Sequence, residues 1–373
     1  MKKIAVICAY PAGENPGMLS VDLAFDAVVK ALPEPVQIDR FCLEGALNLS
    51  VGDVLLNYLH LSSVDQLAAY EKIVYWGDFL HWIVYFERDI LFRKRKLDTS
   101  VDLESCRNEW FSLMLLEGME TEFLSKVIVY GSTIYGLSSA QLTNSRYSKL
   151  LARFYTHASL VLMRDMVSSH FVSQLARNGQ NCFGTDCALL LDSSALPRPA
   201  VPPVGSPYLL CSFGRSGANR ALMTFAAEIA RRKGLLLLTM DWLGQPSGIN
   251  GLAEKLAYIK GAQLVVTDIY HMGVTAWREK VMVIGIGQGA SSVNGTLSDK
   301  KKEIFFRQIL ASDNHVYLED LLVALGNNSL FERLIKQVLS VIEDRDALQY
   351  ASGVLDRQID SAKRRLSAAL LSS

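Results

Sequence analysis

The chain has 373 residues, 50% of them hydrophobic and 20% charged, with Lys+Arg and Asp+Glu both totalling 38. A chain of this length exceeds what one core usually supports, so two domains are expected. The absence of net charge excludes a general nucleic-acid binder, which needs a strong basic excess.

Lys2 and Lys3 precede an apolar run, as at the start of a signal peptide. The run is short and leads into a Pro/Gly turn, so Lys3–Cys8 reads as a first strand and a cytoplasmic location is expected. The next helical pattern covers Met18–Leu32, with Leu19, Leu23, Phe25, Ala27 and Val28 on its apolar face. Val36–Phe41 is a second strand, Glu44–Leu61 has no clear period, and Gln66–Glu71 looks helical. Lys72–Trp76 is a strand ending in Gly77-Asp78, which places Asp78 and His81 at its C-terminal end. Arg93-Lys94-Arg95-Lys96 is a basic run, either a solvated face or a contact for anionic lipid.

Lys126–Tyr130 and Ala158–Met163 are further strands, and Val167–Asn178 is a helix. The loop GSTIYGLSS after Tyr130 lacks both the dinucleotide GxGxxG pattern and the Walker lysine. Asp192–Pro207 carries five of the ten prolines and reads as a linker. It separates a first domain, 1–191, from a second, 208–373.

Alternation then resumes: strand Tyr208–Phe213, helix Arg220–Lys233, strand Leu235–Met240, helix Ile249–Lys260, strand Leu264–Val266 and helix Met272–Lys280. Strand Val281–Ile286, with Gly285, Gly287 and Gly289 at its end, helix Ser298–Leu310, strand His315–Leu318 and long helices over Leu330–Leu370 complete the chain. Alternating strands and helices in both halves imply an α/β protein of two doubly wound, Rossmann-like domains facing across a cleft.

Ligands of such sheets bind outside the carboxyl ends of strands, where helix starts favour anions. At those ends the second half offers Arg215, Arg220, Asp268, His271 and Gly287. Thr267-Asp268 reads as a helix cap and His271 as a general acid or cationic clamp. Arginines beside a histidine suit a phosphate or carboxylate. The six cysteines form no Cys-x-x-Cys pair and no histidine pair has metal spacing, so no metal is expected and the thiols read as buried in a reducing compartment. No apolar run reaches the ~18 residues of a membrane span, which leaves room only for peripheral membrane contact.

The order of these motifs resembles the polysaccharide pyruvyl transferase family, whose fold is similar to the GT-B glycosyltransferases. The resemblance runs from about Asn15 to about Leu318. It rests on Asn15-Pro16-Gly17, IVYWGDFL, VIVYGSTIYG, VLMRDMVS, GTDCALLL, YLLCSFGR and LVVTDIYHMGVTAW. It implies a transferase of bacterial surface-polysaccharide assembly, moving a pyruvyl group from phosphoenolpyruvate to a sugar hydroxyl as a ketal. His271 would then be the acid or clamp, Arg215 a donor contact and Asp78 an acceptor-side residue. The acceptor would be a glycan or lipid-linked sugar, with phosphoenolpyruvate as co-substrate and no resident cofactor. The chain departs from the family where an arginine is expected and Ile269 stands. Two alternatives therefore stay open: a GT-B-like glycosyltransferase using a nucleotide sugar, and a non-catalytic glycan-binding or scaffold member.

Overall fold

The computed structural model describes residues 1–373 except 10–14, 44, 52–53, 78, 98–99, 135–136, 138–140, 142–144, 177–182, 198, 200–203, 247, 290–296 and 373. The described residues form two units. The first comprises Met1–Ala12, Val21–Leu191 and Ile359–Ser373; the second comprises Gly13–Ser20 and Asp192–Gln358.

Only helices of seven residues or more are numbered below. The first unit holds β1 (Lys2–Cys8), most of α1 (Pro16–Lys30), β2 (Val36–Cys42), β3 (Leu47–Val51), β4 (Val54–His60) and β5 (Lys72–Trp76). It continues through α2 (Leu91–Leu97), α3 (Leu103–Met114), β6 (Val127–Ser132), α4 (Arg146–His157), β7 (Leu160–Met163) and α5 (Met166–Ala176). Its seven strands lie in the order β3-β4-β2-β1-β5-β6-β7. All neighbours are parallel except the β3–β4 pair. Every residue of β5 and β6 is buried, which is why these strands read as unbroken apolar runs rather than alternating ones.

The β3–β4 hairpin fills the stretch that has no readable period. Leu56 and Tyr58 of β4 are buried while Leu55 and Leu59 face outward, so apolar residues on both faces erase the alternation a half-buried strand shows. Two further expectations are corrected. The helical turn near Gln66 is a short 3-10 segment, Val64–Leu67, closed by a Ser63/Gln66 capping box. GTDCALLL, which resembles a strand of the pyruvyl transferase family, is a 3-10 turn, Cys187–Leu190, because the Asp186 carboxylate accepts the Ala188 N–H and starts a turn instead.

The second unit holds β8 (Tyr208–Ser212), α6 (Asn219–Lys233), β9 (Leu236–Thr239), α7 (Gly248–Gly261), β10 (Leu264–Thr267), α8 (Tyr270–Arg278) and β11 (Met282–Gly287). It continues with α9 (Leu297–Gln308), β12 (His315–Tyr317), α10 (Leu318–Leu325), α11 (Asn328–Glu343) and the greater part of α12 (Arg345–Leu371). Its five parallel strands lie in the order β12-β11-β10-β8-β9. Strand order reverses between β8 and β10, the position where open α/β sheets leave a crevice at the carboxyl ends.

The sequence division gives everything after residue 207 to the second domain, but the last turns of α12 pack with the first unit. Lys2 Nζ donates to the carbonyls of Leu370, Leu371 and Ser372 at 3.3, 3.0 and 2.7 Å, satisfying the exposed end of that helix.

A buried polar cluster behind β1 carries a pH-dependent term. The Tyr58 hydroxyl donates to Asp22 Oδ2 at 2.6 Å, and burial raises the Asp22 carboxyl from 3.8 to about 7. The folded state therefore holds a proton that the unfolded chain releases, so this contribution to stability is full below about pH 4 and is lost as pH rises toward about 7. His81, pushed down to about 3 by burial, works in the opposite direction between that value and 6.5. Comparison with Asp22→Asn isolates the carboxyl. In urea denaturation the variant should gain on the wild type by on the order of 2 kcal/mol between about pH 5 and about pH 8. Parallel curves would place the Asp22 proton elsewhere.

Candidate functional site

The site grows from the β8–β10 crossover. Ser212 of β8 and Thr267 of β10 are register partners at the ends of their strands, and the Thr267 hydroxyl donates to the Ser212 carbonyl at 2.8 Å. The same oxygen accepts the Ile269 N–H at 3.0 Å, which turns the chain into α8. Ile269 is the N-cap residue of α8, with no side-chain cap bond, so neither Thr267 nor Asp268 caps the helix as the sequence suggests.

Asp268 instead reaches the neighbouring loop. Its fully buried carboxylate accepts the backbone N–H groups of Gly214, Arg215 and Ser216 at 3.0, 3.0 and 2.8 Å. Three converging N–H groups form an anion-binding concavity, and the protein's own carboxylate occupies it. The Asp268 carboxylate, expected to contact a donor, here holds the loop that carries Arg215. The buried Lys302 ammonium secures the arrangement from below, donating to the carbonyls of Asp268 and Ile286 at 2.8 and 2.7 Å. No sequence signal sets this lysine apart from its neighbours Lys300 and Lys301.

Arg215 and Arg220 stand on either side of the α6 start and both are exposed. Neither guanidinium makes a hydrogen bond or ion pair among the described residues. Helix α6 opens at Ala218 with no side-chain cap bond, so its first N–H groups face outward unsatisfied by side chains. Arg278, by contrast, pairs with Glu279 at 2.7 Å.

His271 lies in the first turn of α8, half-buried, its ring edge-on to Tyr270 at 5.2 Å. The first turn of α1 closes over it. Asn15 Oδ1 accepts the Gly17 N–H at 2.9 Å, and Pro16 is the first helical residue, where its missing N–H costs nothing. A Cβ at Gly17 would sit 2.6 Å from His271 Cγ, so only glycine fits against the ring. Gly17 of Asn15-Pro16-Gly17 and His271, far apart in sequence, meet at one point.

The glycine run, expected to cradle a ligand, makes contacts within the protein at each of its three glycines. Gly287 is buried inside the sheet, opposite Tyr317. A Cβ at Gly285 would lie 2.3 Å from Phe306, so that glycine makes room for an aromatic ring. The adjoining space between α8 and α9 is a cavity of 10 Å³, at the lower limit for one water. The Gly289 N–H is taken by the Glu319 carboxylate at 3.1 Å. A cavity of 1270 Å³ opens at the opposite end of the sheet, by Gln263 and Met282 at the amino ends of β10 and β11. Its lysines 233, 260 and 280 are already ion-paired, and ligands of these sheets bind at the other end.

In the first unit, Asp78 lies outside the described residues. His81 is buried and boxed by Tyr75, Phe154 and Tyr155, with ring centroids 4.7–5.6 Å apart. It is a core histidine rather than a ligand contact. Asp165, from the Arg-Asp-x-x-Ser-like element, accepts the Thr133 and Ser168 hydroxyls at 2.5 and 2.9 Å and ties the ends of β6 and β7 together.

No family model and no curated protein sequence matches the chain. Among solved structures it is similar to that of a proposed UDP-N-acetylglucosamine 2-epimerase from Listeria monocytogenes. The TM-score is 0.51 at 12% identity, covering 99% of this chain and 96% of that one. A UDP-GlcNAc 2-epimerase from Neisseria meningitidis, bound to UDP-GlcNAc, aligns over 100% of both chains with TM-score 0.46 and 8% identity. A UDP-forming trehalose-phosphate synthase from Burkholderia vietnamiensis aligns over 100% of this chain and 99% of that one, with TM-score 0.46 and 9% identity. The fold is GT-B-like, with two Rossmann-like units built on parallel sheets.

Proposed function

We propose that the protein is an enzyme of nucleotide-sugar chemistry, of glycosyltransferase or epimerase type, that holds a nucleoside diphosphate sugar in its second unit. The observation that carries this reading is the uncapped α6 start flanked by Arg215 and Arg220, two exposed guanidiniums that make no hydrogen bond or ion pair among the described residues. A diphosphate suits both parts, since the helix N–H groups and planar guanidiniums are complementary to phosphate oxygens. As the sugar–phosphate bond lengthens, negative charge grows on the leaving diphosphate, and fixed cations stabilise that charge more than the ground state. His271, one strand away, supplies or holds a proton on the sugar side. The description of the Listeria monocytogenes protein agrees with this substrate class.

A second reading, pyruvyl transfer, draws on the meeting of Asn15-Pro16-Gly17 with His271, two elements of the family-like motif set. Against it stands Ile269, buried and apolar where a phosphoenolpyruvate clamp calls for an arginine. Calorimetry separates the two. UDP and UDP-sugars should bind saturably, and Arg215→Glu with Arg220→Glu should weaken binding by about 100-fold, two charge-assisted contacts being lost. Binding of phosphoenolpyruvate but of no nucleotide, by folded wild type, would transfer the assignment to the second reading.

A further inference from the structure

The basic run at Arg93–Lys96 takes no part in the site above, and the structure divides it. Arg93 pairs with Asp89 at 3.1 Å and Lys94 with Glu109 at 2.6 Å. Arg95 and Lys96 are exposed and make no ion pair among the described residues, and the same holds for Arg88 one turn earlier. Between them stands Phe92, 64% exposed. Phe92 shares a helix face with Arg95 and Lys96, which lie three and four residues on. The opposite face is anchored: Phe86, Ile90 and Leu91 are buried, and Phe86 stacks on Trp110 at 5.1 Å.

Among the described residues, nearby acids are already engaged. Glu87 and Glu104 pair with Arg107, and Asp102 accepts the Ser105 N–H at 2.7 Å. Asp102 is held below the usual carboxylate range mainly by that bond, with a smaller contribution from Arg95. The outward face thus presents one large aromatic ring amid Arg88, Arg95 and Lys96, none of them ion-paired among the described residues, on a helical segment whose other side is fixed to the core. Both features suit a bilayer surface, where cations meet lipid phosphates and the ring enters the headgroup boundary.

We propose that Arg88, Phe92, Arg95 and Lys96 form a docking surface for an anionic phospholipid bilayer. The proposal is independent of the catalytic reading. Each basic residue near an anionic surface favours binding by about fivefold, so three give a weak, reversible, salt-sensitive attachment rather than a permanent anchor.

The test is co-sedimentation of the full chain with phosphatidylcholine vesicles, with and without phosphatidylglycerol. Wild type should pellet only with the anionic vesicles and release as salt rises. Arg95→Glu with Lys96→Glu should lower partitioning at least about 20-fold. Phe92→Ser should weaken binding several-fold at unchanged net charge. All positions are exposed, and circular dichroism checks that each variant keeps its helix content. Equal pelleting with both vesicle types, or with neither, would overturn the proposal. So would double charge reversal without effect, or Phe92→Ser binding like wild type. Displacement by inorganic phosphate at constant ionic strength would also overturn it, since the surface would then be a phosphate site.

Discussion

Asp268→Ala should destabilise the protein by on the order of 2–4 kcal/mol, seen as a lowered urea midpoint. The carboxylate is fully buried and accepts three backbone N–H groups, so its removal deletes three charge-assisted bonds at once. Gly214 and Arg215 are exposed, and water can recover part of the loss there, which keeps the figure below the sum of three separate bonds. Asp268→Asn retains one good acceptor and should fall between the alanine variant and wild type. The same change should weaken nucleotide binding, because the loop that presents Arg215 loses its fixed register. A variant with wild-type stability and affinity would show that the carboxylate neither holds the loop nor sets the arginine.

Asp268 also shows where sequence reading ends. The strand–helix–strand rhythm of the second half is legible because each element carries its own local signal. Short apolar runs such as Leu264–Val266 are bounded by polar residues, and Gly234 closes α6 with φ of 64°. Those signals place His271 at a helix start and the arginines at a neighbouring strand end. They cannot say where a carboxylate points. Thr267-Asp268 before a helix is the pattern of a cap, and here the hydrophobic Ile269 takes the cap position while Asp268 bonds across to the loop that follows β8. Strand order decides that, and strand order is a long-range property.

The glycines make the same point. Gly285, Gly287 and Gly289 look alike in sequence, yet one accommodates Phe306, one sits within the sheet and one donates to Glu319. The hairpin β3–β4 escapes detection for a different reason. Its outward face carries Leu55 and Leu59 and its inward face Leu56 and Tyr58, so no period survives.

The largest functional effect is expected at His271. His271→Ala should lower turnover of whichever donor binds in calorimetry by about 10²–10⁴-fold, the usual range for a positioned acid or base, and leave the fold intact. Gly17→Ala reaches the same ring from the other side. The added Cβ would lie 2.6, 2.7 and 2.9 Å from His271 Cγ, Cδ2 and Cβ, atoms at the root of the side chain that cannot swing aside alone. The ring or the α1 start must shift, so turnover should drop at least about tenfold and stability by roughly 1–3 kcal/mol. Binding at Arg215 and Arg220 should be little changed, because neither substitution touches those side chains. The double variant discriminates. With the imidazole gone, two of the three close contacts vanish and only the 2.9 Å approach to the remaining Cβ persists, so Gly17→Ala should then cost clearly less than it does in the wild type. A coupling of roughly 0.5–2 kcal/mol between the two positions follows. Simple additivity would mean that Gly17 does not hold the ring, and the role of Asn15-Pro16-Gly17 in setting His271 would fall with it.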